Sequence, residues 1–179
     1  MPEEITTARL RLRPLQFTDL SRYQAIITDP QVARPAGLAA PLTPAHVAAG
    51  LRADMRQPVA YALTAKTDGR FLGMIVGYTH SDVMGEPTTT AVDLGYFLAP
   101  NEWGQGLMPE ALRGLLLALR QANSPITTFW ATSQATNKRS QGVLVKLAFA
   151  LIDDHVMAPS AGNLTLERHF LYCYQQPKS

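Results

Sequence analysis

Cysteine is nearly absent from this sequence: Cys173 is the single one in 179 residues. An intrachain disulfide is therefore excluded, and a reducing, cytoplasmic setting is expected. Long apolar runs are also missing. No stretch approaches the ~18 residues that a membrane span needs, and Met1-Pro2-Glu3-Glu4 lacks the apolar core of a signal peptide. No block of like charge occurs either. The 16 Lys and Arg and 14 Asp and Glu are dispersed, for a net charge of +2, so neither a nucleic-acid arm nor a membrane-binding patch is expected. His46, His80, His155 and His169 show no metal-ligand spacing, and no metal is expected. Gly-Lys-Ser/Thr is missing, which excludes a P-loop. What remains is a globular composition, 46% hydrophobic and 17% charged, that fits one domain over 1–179.

Arg9-Leu10-Arg11-Leu12-Arg13 alternates as a half-buried strand does, and Pro14 stops it. Thr18 reads as an N-cap, with Leu20, Tyr23 and Ile27 on one helical face and Asp29-Pro30 as the stop. A Pro-, Ala- and Gly-rich loop covers 34–42. Thr43-Pro44 then opens a helix with Val47, Leu51 and Met55 as its apolar stripe. Asp68-Gly69 between the strand-like runs 60–66 and 71–78 predicts a hairpin. A polar turn at 84–89 leads to a strand over 90–98. A helix follows from about Pro109 to Ala122, with Leu112, Leu115, Leu116 and Leu119 facing a core. Strand 126–132, a helix over 137–149 and strands near 151–157 and 165–174 complete the chain. The order β-α-α-β-β-β-α-β-α-β-β predicts an α/β (mixed α+β) domain, largely antiparallel at first, with a late βαβ unit.

The most informative stretch runs from Asp93 to Leu112 as strand, turn and helix. Gly104 and Gly106 permit φ > 0 or close approach of a ligand. Helix-start N–H groups lack intrahelical partners, and such a start is ready for a phosphate or pyrophosphate. Taken alone, Gly-x-Gly before a helix equally suits a tight β-α connection. The third Gly of a dinucleotide fingerprint is missing.

Leu94, Gly95, Tyr96, Leu98, Pro100, Trp103, Gly104, Gly106, Glu110 and Ala111 together resemble motif A of the GNAT acetyltransferases, in particular the ribosomal-protein N-acetyltransferase (RimJ/RimL-like) branch. The resemblance implies a mostly antiparallel sheet flanked by helices, with a splayed strand pair for acetyl-CoA. It implies that the pyrophosphate rests on the N–H groups of Gln105, Gly106, Leu107 and Met108, beside Trp103 and Gly104. The pantetheine arm would lie along Phe97 and Leu98 like an added strand. Gln105 stands where the family often has Lys or Arg, so one phosphate-side charge is missing. A homodimer is compatible with this branch.

A second stretch, Asn137–Phe149, is similar to the family's N-x-x-S-x-x-v-x-x-K-l-G-F motif at Asn137, Ser140, Val143, Lys146, Leu147 and Phe149. From the residues alone, Asn137 is an N-cap, and Ser140 shares the inward face of Val143, Leu144 and Leu147. From the resemblance, Asn137 binds the pantetheine arm and Ser140 lies near the thioester sulfur. Ala148 replaces a Gly, which is tolerated where that backbone is helical or extended.

The implied reaction is direct attack of an amine on the acetyl thioester. It needs a base, a donor for the developing oxyanion and a donor for the leaving thiolate. Asp93 is the candidate base, where the family commonly has Glu, and it alternatively only orients substrate or pairs with an Arg. His80 competes for the role. No Tyr follows Ser140 by four residues, since Leu144 stands there. Three functions stand: an amine N-acetyltransferase acting on a peptide N-terminus or small amine, a non-catalytic acyl-CoA-binding module, and a nucleotide-binding protein using the same turn. The apolar loop with Val32, Pro35, Leu38 and Pro41 argues against a polycationic acceptor.

Overall fold

A computed structural model describes residues 1–38, 42–82, 84–160 and 163–173. Pro41 and Tyr174 lie outside the described residues. The order is β1 (Ile5–Thr6), β2 (Leu10–Pro14), α1 (Leu20–Ile27), α2 (Pro30–Ala33), α3 (Pro44–Asp54), β3 (Val59–Ala65), β4 (Phe71–Ser81), β5 (Pro87–Leu98), α4 (Leu107–Gln121), β6 (Thr128–Gln134), α5 (Lys138–Lys146), β7 (Ala150–Ser160) and β8 (Asn163–Cys173). Two elements exceed the sequence reading. The short strand β1 pairs with β2, and α2 begins where Asp29-Pro30 was read as a stop. Asp29 caps α2 by accepting from the Gln31 N–H, with Pro30 at the first helical position. Thr18 is not the N-cap of α1; that position is Asp19, after a 3-10 turn over Phe17–Asp19.

All eight strands form one sheet in the order β1-β2-β3-β4-β5-β6-β8-β7. Every pairing is antiparallel except β5 with β6, which the α4 crossover makes parallel. Helices cover both faces. On one, Leu112, Leu115 and Leu119 of α4 and Leu144 of α5 pack on Leu94, Leu98 and Phe129. On the other, Tyr23, Ile26, Val47 and Leu51 of α1 and α3 pack on Ala62, Met74 and Val76. Strand alternation thus assigns Leu94, Tyr96 and Leu98 to the α4/α5 face, and Asp93, Gly95 and Phe97 to the α1–α3 face. At about 25 cal/mol per Å² of apolar surface, burying one Leu side chain contributes roughly 1.5–3 kcal/mol, so these two faces hold β5 in place.

The parallel pair is short. β5 and β6 pair only across Ala91–Asp93 and Thr128–Trp130. Beyond Asp93 no pairing joins them, and a gap opens toward Leu98 and Gln134.

Candidate active site

The gap exposes backbone groups of β5. On the β4 side, the Ala99 N–H donates to the Leu72 carbonyl (2.8 Å), and on the β6 side the Thr90 carbonyl accepts from the Thr127 N–H (2.9 Å). With a period of two, Phe97 turns its backbone groups to β4, while Tyr96 and Leu98 turn theirs to the gap. Phe97, expected beside the pantetheine arm, thus turns its backbone away from the gap, and its neighbours Tyr96 and Leu98 turn theirs toward it. Phe97 instead packs its ring on Tyr23, 5.7 Å between centroids. The Leu98 carbonyl already accepts from the Trp103 indole N–H at 2.9 Å, which folds the turn back on the strand. The groups left facing the gap are the Tyr96 N–H and C=O and the Leu98 N–H.

At the wide end, α4 begins at Leu107, two residues before Pro109, which is third in the helix rather than first. Gly104 and Gly106 sit at φ +77° and +75°. A Cβ at Gly104 would touch nothing within 4 Å, and one at Gly106 only Arg9. Glycine thus serves the backbone turn here, not packing. The turn presents the N–H groups of Gln105, Gly106, Leu107 and Met108 in succession, with no bonded partner among the described residues. Such a row of donors at a helix N-terminus fits a pyrophosphate.

A residue not foreseen from sequence stiffens this turn. Arg9 Nη1 donates to the Gln105 carbonyl (2.9 Å), and Arg9 Nε donates to Glu110 Oε2 (2.7 Å). Glu110 also accepts from the Thr7 hydroxyl (2.6 Å) and the Arg9 N–H (2.8 Å). Burial works to raise the Glu110 pKa, but the Thr7 and Arg9 hydrogen bonds outweigh it and hold it below the usual carboxylate value. Arg9, just before β2, thus places a guanidinium beside the turn, although Glu110 neutralises much of its charge.

The other wall is the start of α5. Asn137 caps it by accepting from the Ser140 N–H at 3.2 Å, leaving its amide N–H groups available. Ser140 Oγ lies 2.9 Å from the Tyr96 hydroxyl, across the mouth of the gap. Burial is the main cause that pushes Tyr96 up to about 12, against the opposing hydrogen bond to Ser140. Tyr96 therefore stays protonated at neutral pH. The motif had marked Tyr96 only as a match, and the alternation of β5 with the inward face of α5 was the signal that brings the two hydroxyls together. Arg139 lays its guanidinium 3.9 Å above the Trp103 ring, joining the two walls.

On the α1–α3 face, Asp93 and His80 form a pair. His80 Nδ1 is 3.1 Å from both Asp93 carboxylate oxygens. His80 lies inside β4, not beyond it, because that strand extends to Ser81. Tyr78 is the cross-strand partner of Asp93, so His80 sits diagonally on the same face. Its ring stacks on Trp130 at 5.2 Å and 10°. Below the pair, Tyr23 and Tyr78 donate to Asp54 at 3.0 and 2.9 Å. Desolvation raises the Asp54 pKa, opposed by those two hydrogen bonds, and both tyrosines are raised by burial and by Asp54. The two residues that competed for the base in the sequence are thus one unit.

The sequence matches the pattern of the acetyltransferase (GNAT) domain over residues 9–150. The chain belongs to the GNAT acetyltransferase family. Members of this family take their acetyl group from acetyl-CoA. Among solved structures, it is similar to a GNAT-family acetyltransferase of Bacillus anthracis, with 16% identity, a TM-score of 0.81, and coverage of 95% of this chain and 98% of that one. It also resembles the Salmonella typhimurium acetyl transferase that modifies the N-terminal serine of 50S ribosomal protein L7/L12, with 14% identity, a TM-score of 0.78 and coverage of 97% and 100%. A third is the microcin C7 self-immunity acetyltransferase MccE in complex with acetyl-CoA and AMP, at 14% identity, a TM-score of 0.75 and coverage of 97% and 98%. At these identities the structures speak for the fold. No curated protein sequence matches.

Proposed function

We propose that this GNAT domain transfers an acetyl group from acetyl-CoA to the primary amine of a peptide N-terminus or small molecule. The observation that carries the reading is the gap between β5 and β6. It ends at a row of unpartnered N–H groups at one end and borders the His80–Asp93 pair near its apex. In this reading Gln105, Gly106, Leu107 and Met108 hold the pyrophosphate. Gly104 and Trp103 shape the turn, Tyr96 and Leu98 hold the pantetheine arm, and Asn137 adds an amide donor. Bound acetyl-CoA supplies the thioester.

The amine nitrogen forms a bond to the acetyl carbon as the carbon–sulfur bond breaks. With its proton on Nδ1 toward Asp93, His80 has Nε2 free to take the amine proton, and Asp93 orients the ring and stabilises its positive charge. A gap-facing β5 N–H receives the developing oxyanion. Ser140, backed by the protonated Tyr96, donates to the leaving thiolate. The competing reading is a non-catalytic acyl-CoA-binding module, favoured by Asp93 in place of Glu. Incubation with acetyl-CoA and a panel of peptides and small amines, read by thiol release and product mass, tests the proposal. Amide formation is expected, whereas tight CoA binding with no acetylated amine refutes it.

A further inference from the structure

Between β5 and β8 the face of the sheet opposite α4 and α5 carries a strip with opposite charges at its two ends. Trp130, Thr132 and Gln134 of β6 point to this face, as the stacking of His80 on Trp130 shows. Thr132 is exposed, so the strip is open. At the Trp130 end stands the Asp93 carboxylate. At the Gln134 end, Gln134 Nε2 donates to the Arg34 carbonyl at 3.3 Å. There a pocket of ≈ 310 Å³ is lined by Pro30, Gln31, Arg34, Pro35 and Arg139. Neither arginine has a carboxylate partner among the described residues. Stacking on Trp103 fixes one face of the Arg139 guanidinium and leaves its edge donors free. The nearby acid on β8, Glu167, is turned toward His169 at 3.8 Å.

We infer that this strip takes an extended peptide acceptor, with its N-terminal amine at His80–Asp93 and an acidic side chain in the Arg34–Arg139 pocket. This rests on the acetyltransferase reading above and adds the class of acceptor. Trp130 pairs with Asp93, and Gln134 lies four residues further along β6. At about 3.3 Å per residue the two ends are roughly 13 Å apart, so the acid falls at about the fourth or fifth residue of the peptide. The chemistry is a charge-assisted, bidentate pairing of carboxylate with guanidinium at one end and attraction of an amine to a carboxylate at the other.

The test uses the full chain, acetyl-CoA and peptides that differ only at positions four and five, as Glu, Gln or Lys. The expected kcat/KM is about tenfold higher for Glu than for Gln, lowest for Lys, and the preference shrinks as salt rises. Arg34→Gln and Arg139→Gln are expected to collapse the Glu preference mainly through KM. Equal rates for the Glu and Gln peptides overturn the inference alone. A rise in KM for acetyl-CoA with the Glu preference retained also overturns it, by assigning the arginines to the coenzyme. Coenzyme binding with no transfer to any peptide or small amine defeats the acetyltransferase reading, and this inference with it.

Discussion

Replacing Glu110 with alanine removes the group that ties the first turn of α4 to the segment joining β1 and β2. Its carboxylate accepts from the Thr7 hydroxyl, the Arg9 N–H and the Arg9 guanidinium. The Arg9 side chain is 49% exposed and that of Glu110 only 17%, so the ion pair itself is screened and contributes no more than about 1 kcal/mol. The two hydrogen bonds from Thr7 and the Arg9 backbone contribute about 1 kcal/mol each. A carboxylate in the first helical turn adds about 0.3–1 kcal/mol. The expected loss for Glu110→Ala is therefore about 2–4 kcal/mol by urea denaturation. At about 2–4 °C per kcal/mol for a chain of this size, Tm falls by roughly 4–16 °C. Because Glu110 is held below its ordinary value, its stabilisation is present above the unfolded pKa near ~4.3 and is lost as pH falls through the lower folded value. The stability gap between the native chain and Glu110→Gln should thus be level at neutral pH and close under acid. A loss below about 0.5 kcal/mol, or a gap that persists unchanged to low pH, refutes this account.

Ala148 holds φ +61° at the end of α5, where the Phe149 N–H reaches the Leu144 carbonyl and the Ala148 N–H that of Val145. Ala148→Gly is expected to stabilise by about 0.5–1 kcal/mol in denaturant melts; a destabilisation contradicts the strain argument. His80→Gln is expected to lower kcat by about 10²-fold or more, with KM for acetyl-CoA nearly unmoved. A native-like kcat in His80→Gln returns the base to Asp93 or a water. Tyr23, Tyr78 and Tyr96 are all raised. Raised groups stabilise below the unfolded pKa near ~10 and lose that contribution as pH climbs through the folded values, so their ionisation, followed by tyrosinate absorbance, should coincide with alkaline unfolding. Normal titration of all tyrosines in the folded state contradicts their burial.

The legible part of this molecule was local. Alternation gave β2, the 3.6-residue stripe gave α4, and Asp68-Gly69 gave the β3–β4 turn, because each is dictated by neighbours in the chain. The turn from Trp103 to Met108 was readable for the same reason: helix-start donors and Gly conformations are properties of a few consecutive residues. The pairs that span the sheet were not. Nothing local joins Arg9 to Gln105, Tyr96 to Ser140, or Arg139 to Trp103, since each depends on strand order. His80 and Asp93 were both visible as candidates, but their union follows from the β4–β5 register. Ala148 misled because the end of a helix, not its interior, demanded the left-handed backbone that the family's glycine supplies. Asp29-Pro30 misled in the opposite sense: the same pair that can end a helix here caps the next.

The measurement that tests the central claim most directly is a single-turnover mixture of the chain, acetyl-CoA and an acidic-sequence peptide with a free N-terminus. Mass analysis of the peptide is run beside thiol release. The account predicts one acetyl group on the N-terminal amine for each thiol freed, and a matching loss of both signals in His80→Gln. Thiol release with no acetylated peptide, or coenzyme bound with neither signal against any amine, contradicts it.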